Sequence, residues 1–307
     1  MMVIIGVTGY SIDMHDGYTA RMNDPDQPVI DVINKRLKED NDRCLKEIPD
    51  WKSDENDCML QRTPGENTIA LIGDSHARQI YFGLVANTNE NSGIAVFPAS
   101  CAVPLIGMHS GMIPNNQSRA LSEHLLSEGF DYILNHSNLK KVVLAHNPAC
   151  SWHNIVDTYN IGNKNFESIL QDGFARTYRT LTKAGKEIYV ILDNPHYSDN
   201  SFKKCRSAAV KRPLSINFLS SKKLNSCTEK QSAVVHREVI DNWSRIARKQ
   251  SSGYTNVHFI DLEQFFCSDE ICSMLDHAGS MLYRDVNHLN MKGSIYVAPF
   301  ILNKMSR

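Results

Sequence analysis

The sequence predicts a three-layer α/β/α fold with about five parallel strands, and two patterns carry that prediction. From residue 67 onward, short apolar runs alternate with longer amphipathic stretches, the order expected when helices cover both faces of a parallel sheet. The short runs are continuous and rich in β-forming residues without polar alternation, as strands buried on both faces require. At 307 residues and 42% hydrophobic content, the chain is long enough to bury such a core as one large domain or one domain with an extension.

The elements follow in order. The first ten residues, MMVIIGVTGY, form an apolar stretch of about half the roughly twenty residues that a membrane helix needs. No basic lead-in or small-residue cleavage site marks it as an export signal. Two readings stay open: a piece of a larger membrane protein cut inside its last membrane helix, or a start-site oddity on a soluble protein. The polar stretch up to residue 65 carries one helical run, PVIDVINKRLKEDNDRCLKEI, and no strand that would extend the sheet. It closes at the turn signal Thr63-Pro64-Gly65. The strands are TIALI (68–72), GIAVF (93–97), KVVLAH (141–146), EIYVIL (187–192) and VHFIDL (257–262), with helices over 77–87, 117–137, 165–184, 230–249 and 290–303. Residues 197–229, which include Pro213, read as a long excursion after the fourth strand, and such loops are often functional.

Net charge is −1 with Lys and Arg scattered, so no surface is prepared for a phosphate backbone and nucleic acid is not an expected partner. The eight cysteines fall into near neighbours, Cys44 with Cys58, Cys205 with Cys227 and Cys267 with Cys272, leaving Cys101 and Cys150 for each other. That arrangement reads as disulfides closing short loops. Buried free thiols and a zinc site are the alternatives, although no CxxC is present; no metal is expected.

Ligands in an open parallel sheet bind beyond the carboxyl ends of the strands. Those positions hold Gly73-Asp74-Ser75-His76, Pro98-Ala99-Ser100-Cys101, Asn147-Pro148 and Asp193-Asn194-Pro195-His196. Ser75, at a strand-to-helix turn, has the position of a serine nucleophile whose own N–H can receive an oxyanion, and equally that of a helix cap. His76 is badly placed as its base because adjacent side chains diverge. In LYRDVNHLNMKGS, Asp285 stands three residues before His288; its carboxylate can accept the Nδ1–H and leave Nε2 to take the Ser75 proton. An isolated Asp-x-x-His is more often a capped surface turn.

The conjunction of GDS after the first strand and DxxH before the last helix resembles the SGNH, or GDSL, superfamily of serine esterases and acyltransferases. LIGDSHARQ, FPASCAVPL, VVLAHNPACSW, TLTKAGKEIYVILDNP and FIDLEQFFCSDEICSMLDHAGSMLYRDVNHLNMKGS extend the resemblance over residues 67–303. They point to one branch, the periplasmic SGNH domain fused to family 3 membrane acyltransferases, in particular O-antigen O-acetyltransferases. The resemblance implies a flavodoxin-like sheet, a Ser75–His288–Asp285 triad, and an SGNH catalytic domain over 66–307. Residues 1–10 would be the end of a truncated transmembrane helix, and 11–65 a periplasmic linker and extension. Disulfides suit that oxidising compartment, the periplasmic face of the inner membrane.

The expected oxyanion donors are the backbone of Ser75, the backbone at Ser100 and the side chain of Asn147, although the glycine usual after the second strand is absent from Ala99-Ser100-Cys101. His146 and Trp152 are candidates for the substrate rim. The implied function is acetyl transfer through acetyl-Ser75 onto a surface polysaccharide such as lipopolysaccharide O-antigen. Acetyl-CoA would be the ultimate donor through a fused or associated membrane acyltransferase, with no cofactor held by this domain. A carbohydrate acetylesterase using the same triad and a non-catalytic glycan-binding domain are the rival readings.

Overall fold

The computed structural model describes residues 27–51, 58–62, 67–88, 93–110, 116–152, 155–159, 165–209, 227–230 and 234–306. The expected membrane-helix end at 1–10, the Thr63-Pro64-Gly65 turn and Pro213 lie outside them.

Helix α1 (Gln27–Glu47) leads to β1 (Met59–Leu60), and the α/β succession begins with β2 (Asn67–Gly73) and α2 (Ser75–Asn87). β3 (Gly93–Pro98), β4 (Met108–Ser110), α3 (Asn116–Asn135), β5 (Lys141–Ala145), β6 (Ile155–Asp157) and α4 (Phe166–Lys183) follow. The second half holds β7 (Glu187–Leu192), α5 (Asp199–Ala209), β8 (Thr228–Lys230), α6 (Arg237–Gln250), β9 (Val257–Asp261) and α7 (Glu263–Phe266). It ends with β10 (Cys267–Ser268), β11 (Ile271–Ser273) and α8 (Met291–Met305).

The main sheet runs β1-β3-β2-β5-β7-β9, and its last five strands are parallel. Counting only those five along the chain, the order is 2-1-3-4-5, the flavodoxin-like winding whose switch point falls between β2 and β5. All five predicted strands are present. One expectation fails: β1 does extend the sheet, with Met59 and Leu60 pairing antiparallel to Val96 and Ala95. A second correction concerns residues 230–249, where the helix starts only at Arg237 and Thr228–Lys230 instead form a strand of a small sheet with β10 and β11.

Successive residues of each strand point to opposite faces, and each face has its own core. Ala70 and Ile72 of β2 join Phe130, Ile133, Phe174, Tyr178 and Trp243 on one side. Ile69 and Leu71 join Ile80, Leu84, Val297 and Ile301 on the other. The two faces of β2 thus separate α3, α4 and α6 from α2 and α8. Helix α1 is tied down by the Cys44–Cys58 disulfide and by Tyr81, whose hydroxyl donates to Asp40 at 2.7 Å.

All eight cysteines are paired as Cys44–Cys58, Cys101–Cys150, Cys205–Cys227 and Cys267–Cys272, which excludes the free-thiol and zinc readings for them. Among the described residues, no helix is long and apolar enough to cross a membrane.

Candidate active site

The switch point places the ends of β2 and β5 side by side. Gly73 ends β2 at φ +155°, and a Cβ there would strike the Ala145 carbonyl, so only glycine lets the two strand ends approach this closely. Asp74 then caps α2: its Oδ1 accepts from His76 N at 2.8 Å. The cap is therefore Asp74, and Ser75 is left as the first helical residue, with its hydroxyl available for another partner.

That partner is His288. Ser75 Oγ lies 2.7 Å from His288 Nε2, and His288 Nδ1 lies 2.9 Å from Asp285 Oδ2. Asp285 also accepts from the backbone N–H of His288 at 2.8 Å and of Asn287 at 3.1 Å. Burial pushes the Asp285 carboxyl up, but the hydrogen bonds from the His288 ring and these two amides outweigh it and hold it well below the usual carboxylate range. Its carboxylate thus fixes the ring so that Nε2 faces the serine.

Ser75 and His288 line a cleft of about 590 Å³, together with Leu37, Phe82, Ser100, Asn147 and Arg284. Asn147 caps the short 3₁₀ turn Pro148–Cys150, its Oδ1 accepting from Ala149 N at 3.0 Å. The two candidate rim residues stand elsewhere. His146 is buried beneath the floor, with Nδ1 3.1 Å from Asp74 Oδ2 and Nε2 2.8 Å from Ser151 Oγ; both ring nitrogens are used inside the protein. Trp152 packs edge-on against Phe166 and does not line the cleft.

A second group of polar residues lies behind the serine; the sequence placed its members at the strand ends but gave them no joint role. Asp193, at the end of β7, receives His76 Nδ1 at 2.7 Å on one oxygen and His196 Nε2 at 2.8 Å on the other. Burial works against both charges of the His76–Asp193 contact. For Asp193 the His76 and His196 imidazoles overcome it and hold the carboxyl far below its usual range. For His76 the Asp193, Asp74 and Asp285 carboxylates overcome it and raise the imidazole. Asp74 is likewise lowered, against burial, by His146, His76 and the Asn147 amide. Beyond those strand-end positions, the trace in the sequence was the Asp-x-x-His of Asp193 and His196, the same spacing as Asp285 and His288. His76, Asp193 and His196 bring three possible metal-ligand atoms within 4.8 Å; His76 Nδ1 and His196 Nε2 are engaged by the carboxylate, and among the described residues His76 Nε2 is buried without a hydrogen-bond partner.

Comparison with known proteins identifies the family and the fold. The family described as "SGNH domain (fused to AT3 domains)" matches residues 43–303. The chain belongs to the SGNH-domain family. Among solved structures, it is similar to the lipopolysaccharide acetyltransferase periplasmic domain of Salmonella ser. Paratyphi A, at 18% identity and TM-score 0.54, covering 80% of this chain and 85% of that one. A putative platelet activating factor from Streptococcus pneumonia matches at 16% identity and TM-score 0.43, over 90% of this chain and 96% of that one. The C-terminal catalytic domain of Streptococcus pneumoniae peptidoglycan O-acetyltransferase A, with a methylsulfonyl adduct, matches at 12% identity and TM-score 0.35, over 78% and 93%. A search of curated protein sequences finds no significant match. The SGNH fold of this chain is thus that of serine hydrolases and acyltransferases.

Proposed function

We propose that this SGNH domain is an O-acetyltransferase that works through an acetyl-Ser75 intermediate. The observation that carries the reading is the 2.7 Å contact of Ser75 Oγ with His288 Nε2, backed by Asp285 on Nδ1, at the wall of an open cleft. His288 takes the hydroxyl proton as Ser75 attacks the acetyl carbonyl, and the protonated ring returns that proton to the leaving group. His288 next takes the proton of an acceptor hydroxyl, whose oxygen attacks the acetyl-Ser ester and restores Ser75. Asp285 stays ionised throughout and stabilises the imidazolium.

The acceptor in this reading is a sugar hydroxyl of a bacterial surface polysaccharide, lipopolysaccharide O-antigen being the first to test. The Salmonella structural relative and the family description support that choice. The donor is an acetyl group handed over by an associated AT3 membrane acyltransferase, with acetyl-CoA as its source. Four disulfides support a location outside the cytoplasm, on the periplasmic face of the inner membrane. Hydrolysis is the second reading, favoured by the openness of the cleft: Ser75 and Asp285 are partly exposed, so water can reach the same intermediate.

The test is intact-mass analysis after brief exposure to an activated acetyl ester. One added acetyl group is expected on the parent protein and none on Ser75→Ala. Adding O-antigen oligosaccharide should discharge the label onto sugar; free acetate alone, with an acceptor of verified quality, decides for the esterase.

A further inference from the structure

The turn directly after β3, Ala99–Ala102, lacks a glycine, yet its conformation ordinarily requires one. Ala102 N donates to the Ala99 carbonyl at 3.1 Å, closing a β-turn over Ser100 and Cys101. Cys101 takes φ +46°, in the left-handed region, whereas Ser100 does not. A left-handed third residue is the type II pattern, which selects glycine because a Cβ disfavours that conformation. Cys101 is instead bonded to Cys150, 5.6 Å away Cα to Cα, in the 3₁₀ turn after β5.

The same turn aims a backbone donor. Ser122 of α3 donates its hydroxyl to the Ser100 carbonyl at 3.0 Å. The Ser100–Cys101 peptide is trans and planar, so its C=O and N–H point in opposite directions. With the carbonyl turned to α3, the Cys101 N–H faces away from α3, and Cys101 lines the cleft beside Ser75. Among the described residues the Cys101 N–H has no hydrogen-bond acceptor, and neither has the Ser75 N–H at the start of α2.

We propose that the Cys101–Cys150 disulfide stands in for the missing glycine, clamping Cys101 in the left-handed conformation that aims its N–H, with that of Ser75, at the developing oxyanion. The inference rests on the acyl-transfer reading above. The donor is then the Cys101 amide, one residue beyond the expected Ser100. The disulfide and Ser122 are positioning groups that act through it. Asn147 contributes from the other end of the cross-link: its Oδ1 is occupied by Ala149 N, which leaves its NH₂ group to donate.

Two double variants test the clamp, Cys101→Gly/Cys150→Ser and Cys101→Ala/Cys150→Ser. Both lack the cross-link; they differ in how freely residue 101 enters the left-handed region. Steady-state cleavage of an activated acetyl ester, with kcat and KM determined separately and melting followed in parallel, is the readout. The glycine variant should keep kcat within about threefold of the parent, while the alanine variant loses about tenfold or more with KM little changed. A purely structural staple predicts that the two variants differ in melting temperature, since alanine is strained at the left-handed φ of residue 101, but not in kcat. Equal kcat for the two variants, with Ser75-dependent cleavage in the parent, overturns the clamp and leaves the proposed function standing. Absence of Ser75-dependent cleavage in the parent removes both. Should the alanine variant fail to fold, Ser122→Ala keeps the disulfide and frees the Ser100 carbonyl: a kcat drop of about three- to tenfold at constant KM is expected, and an unchanged kcat counts against the proposal.

Discussion

His288 with Asp285 and His76 with Asp193 are built from the same two residue types, and their rings come within 4.8 Å, centroid to centroid. Their surroundings differ sharply. The His288 and Asp285 side chains are 19% and 43% exposed, whereas those of His76 and Asp193 are 1% and 2% exposed. Asp285 occupies one nitrogen of His288 and leaves the other for Ser75. Asp193 receives two imidazoles, one on each oxygen, and neither faces the cleft with a free base. The pair beside the serine can move a proton to a reactant, and the buried set holds the end of β7 against the start of α2. On the proposed mechanism, access to Ser75, more than residue type, separates chemistry from support.

The comparison breaks most visibly at Ser75. Ser75→Ala should lower acetyl-ester cleavage by about 10⁴-fold or more while leaving stability within about 0.5 kcal/mol, since it removes only a cleft hydroxyl. A stability loss as large as the activity loss would mean that Ser75 belongs with the buried set.

Asp193→Asn probes the other side. Removing one partner of a buried ionic cluster typically costs about 3–5 kcal/mol, to be read as a lower urea midpoint at unchanged slope. The pH dependence gives a sharper signature. The folded-state pKa of Asp193 is lowered, so its stabilisation is present above the ordinary aspartate value of about 3.9 and is lost as pH falls below it. That of His76 is raised, so its contribution is complete below about pH 6.5 and is lost as pH rises through the raised value. Parent stability should therefore fall on both flanks, and Asp193→Asn should flatten both. Unchanged flanks would show that the buried set carries no charge. The smallest of the three effects is expected at Gly83, where α2 meets α8: a Cβ would strike the Ser294 carbonyl, so Gly83→Ala should cost about 1–3 kcal/mol in the same titration.

The five parallel strands were legible because burial on both faces writes an uninterrupted apolar run, and the Ser75–His288–Asp285 grouping because Ser75 opens a helix and Asp285-x-x-His288 stands just before another. What was hidden has physical reasons. β1 is only Met59–Leu60, too short to show a period, and it joins the sheet through backbone hydrogen bonds that depend little on side-chain type. α5 is strongly polar and lies within the stretch read as an excursion. Thr228–Lys230 owes its strand to β11, which follows about forty residues later in the chain. His146 resembled a rim residue because it ends the predicted strand 141–146, but it is buried against Asp74, 72 residues earlier in the chain. The turn at Cys101 left no glycine as a marker.

The contact between α2 and α8 has a consequence in time. Ser75 opens α2, His288 comes just before α8, and the two helices interlock through Gly83 N on Ser294 Oγ, Ser294 Oγ on the Gln79 carbonyl, and Leu289 N on Gln79 Oε1. Ser75 and His288 are 213 residues apart in the chain. During synthesis Ser75 emerges well before His288, so on the proposed mechanism a chain interrupted between them holds the nucleophile without its base. On the proposed mechanism, a chain clipped anywhere between Ser75 and His288 is inert rather than indiscriminate.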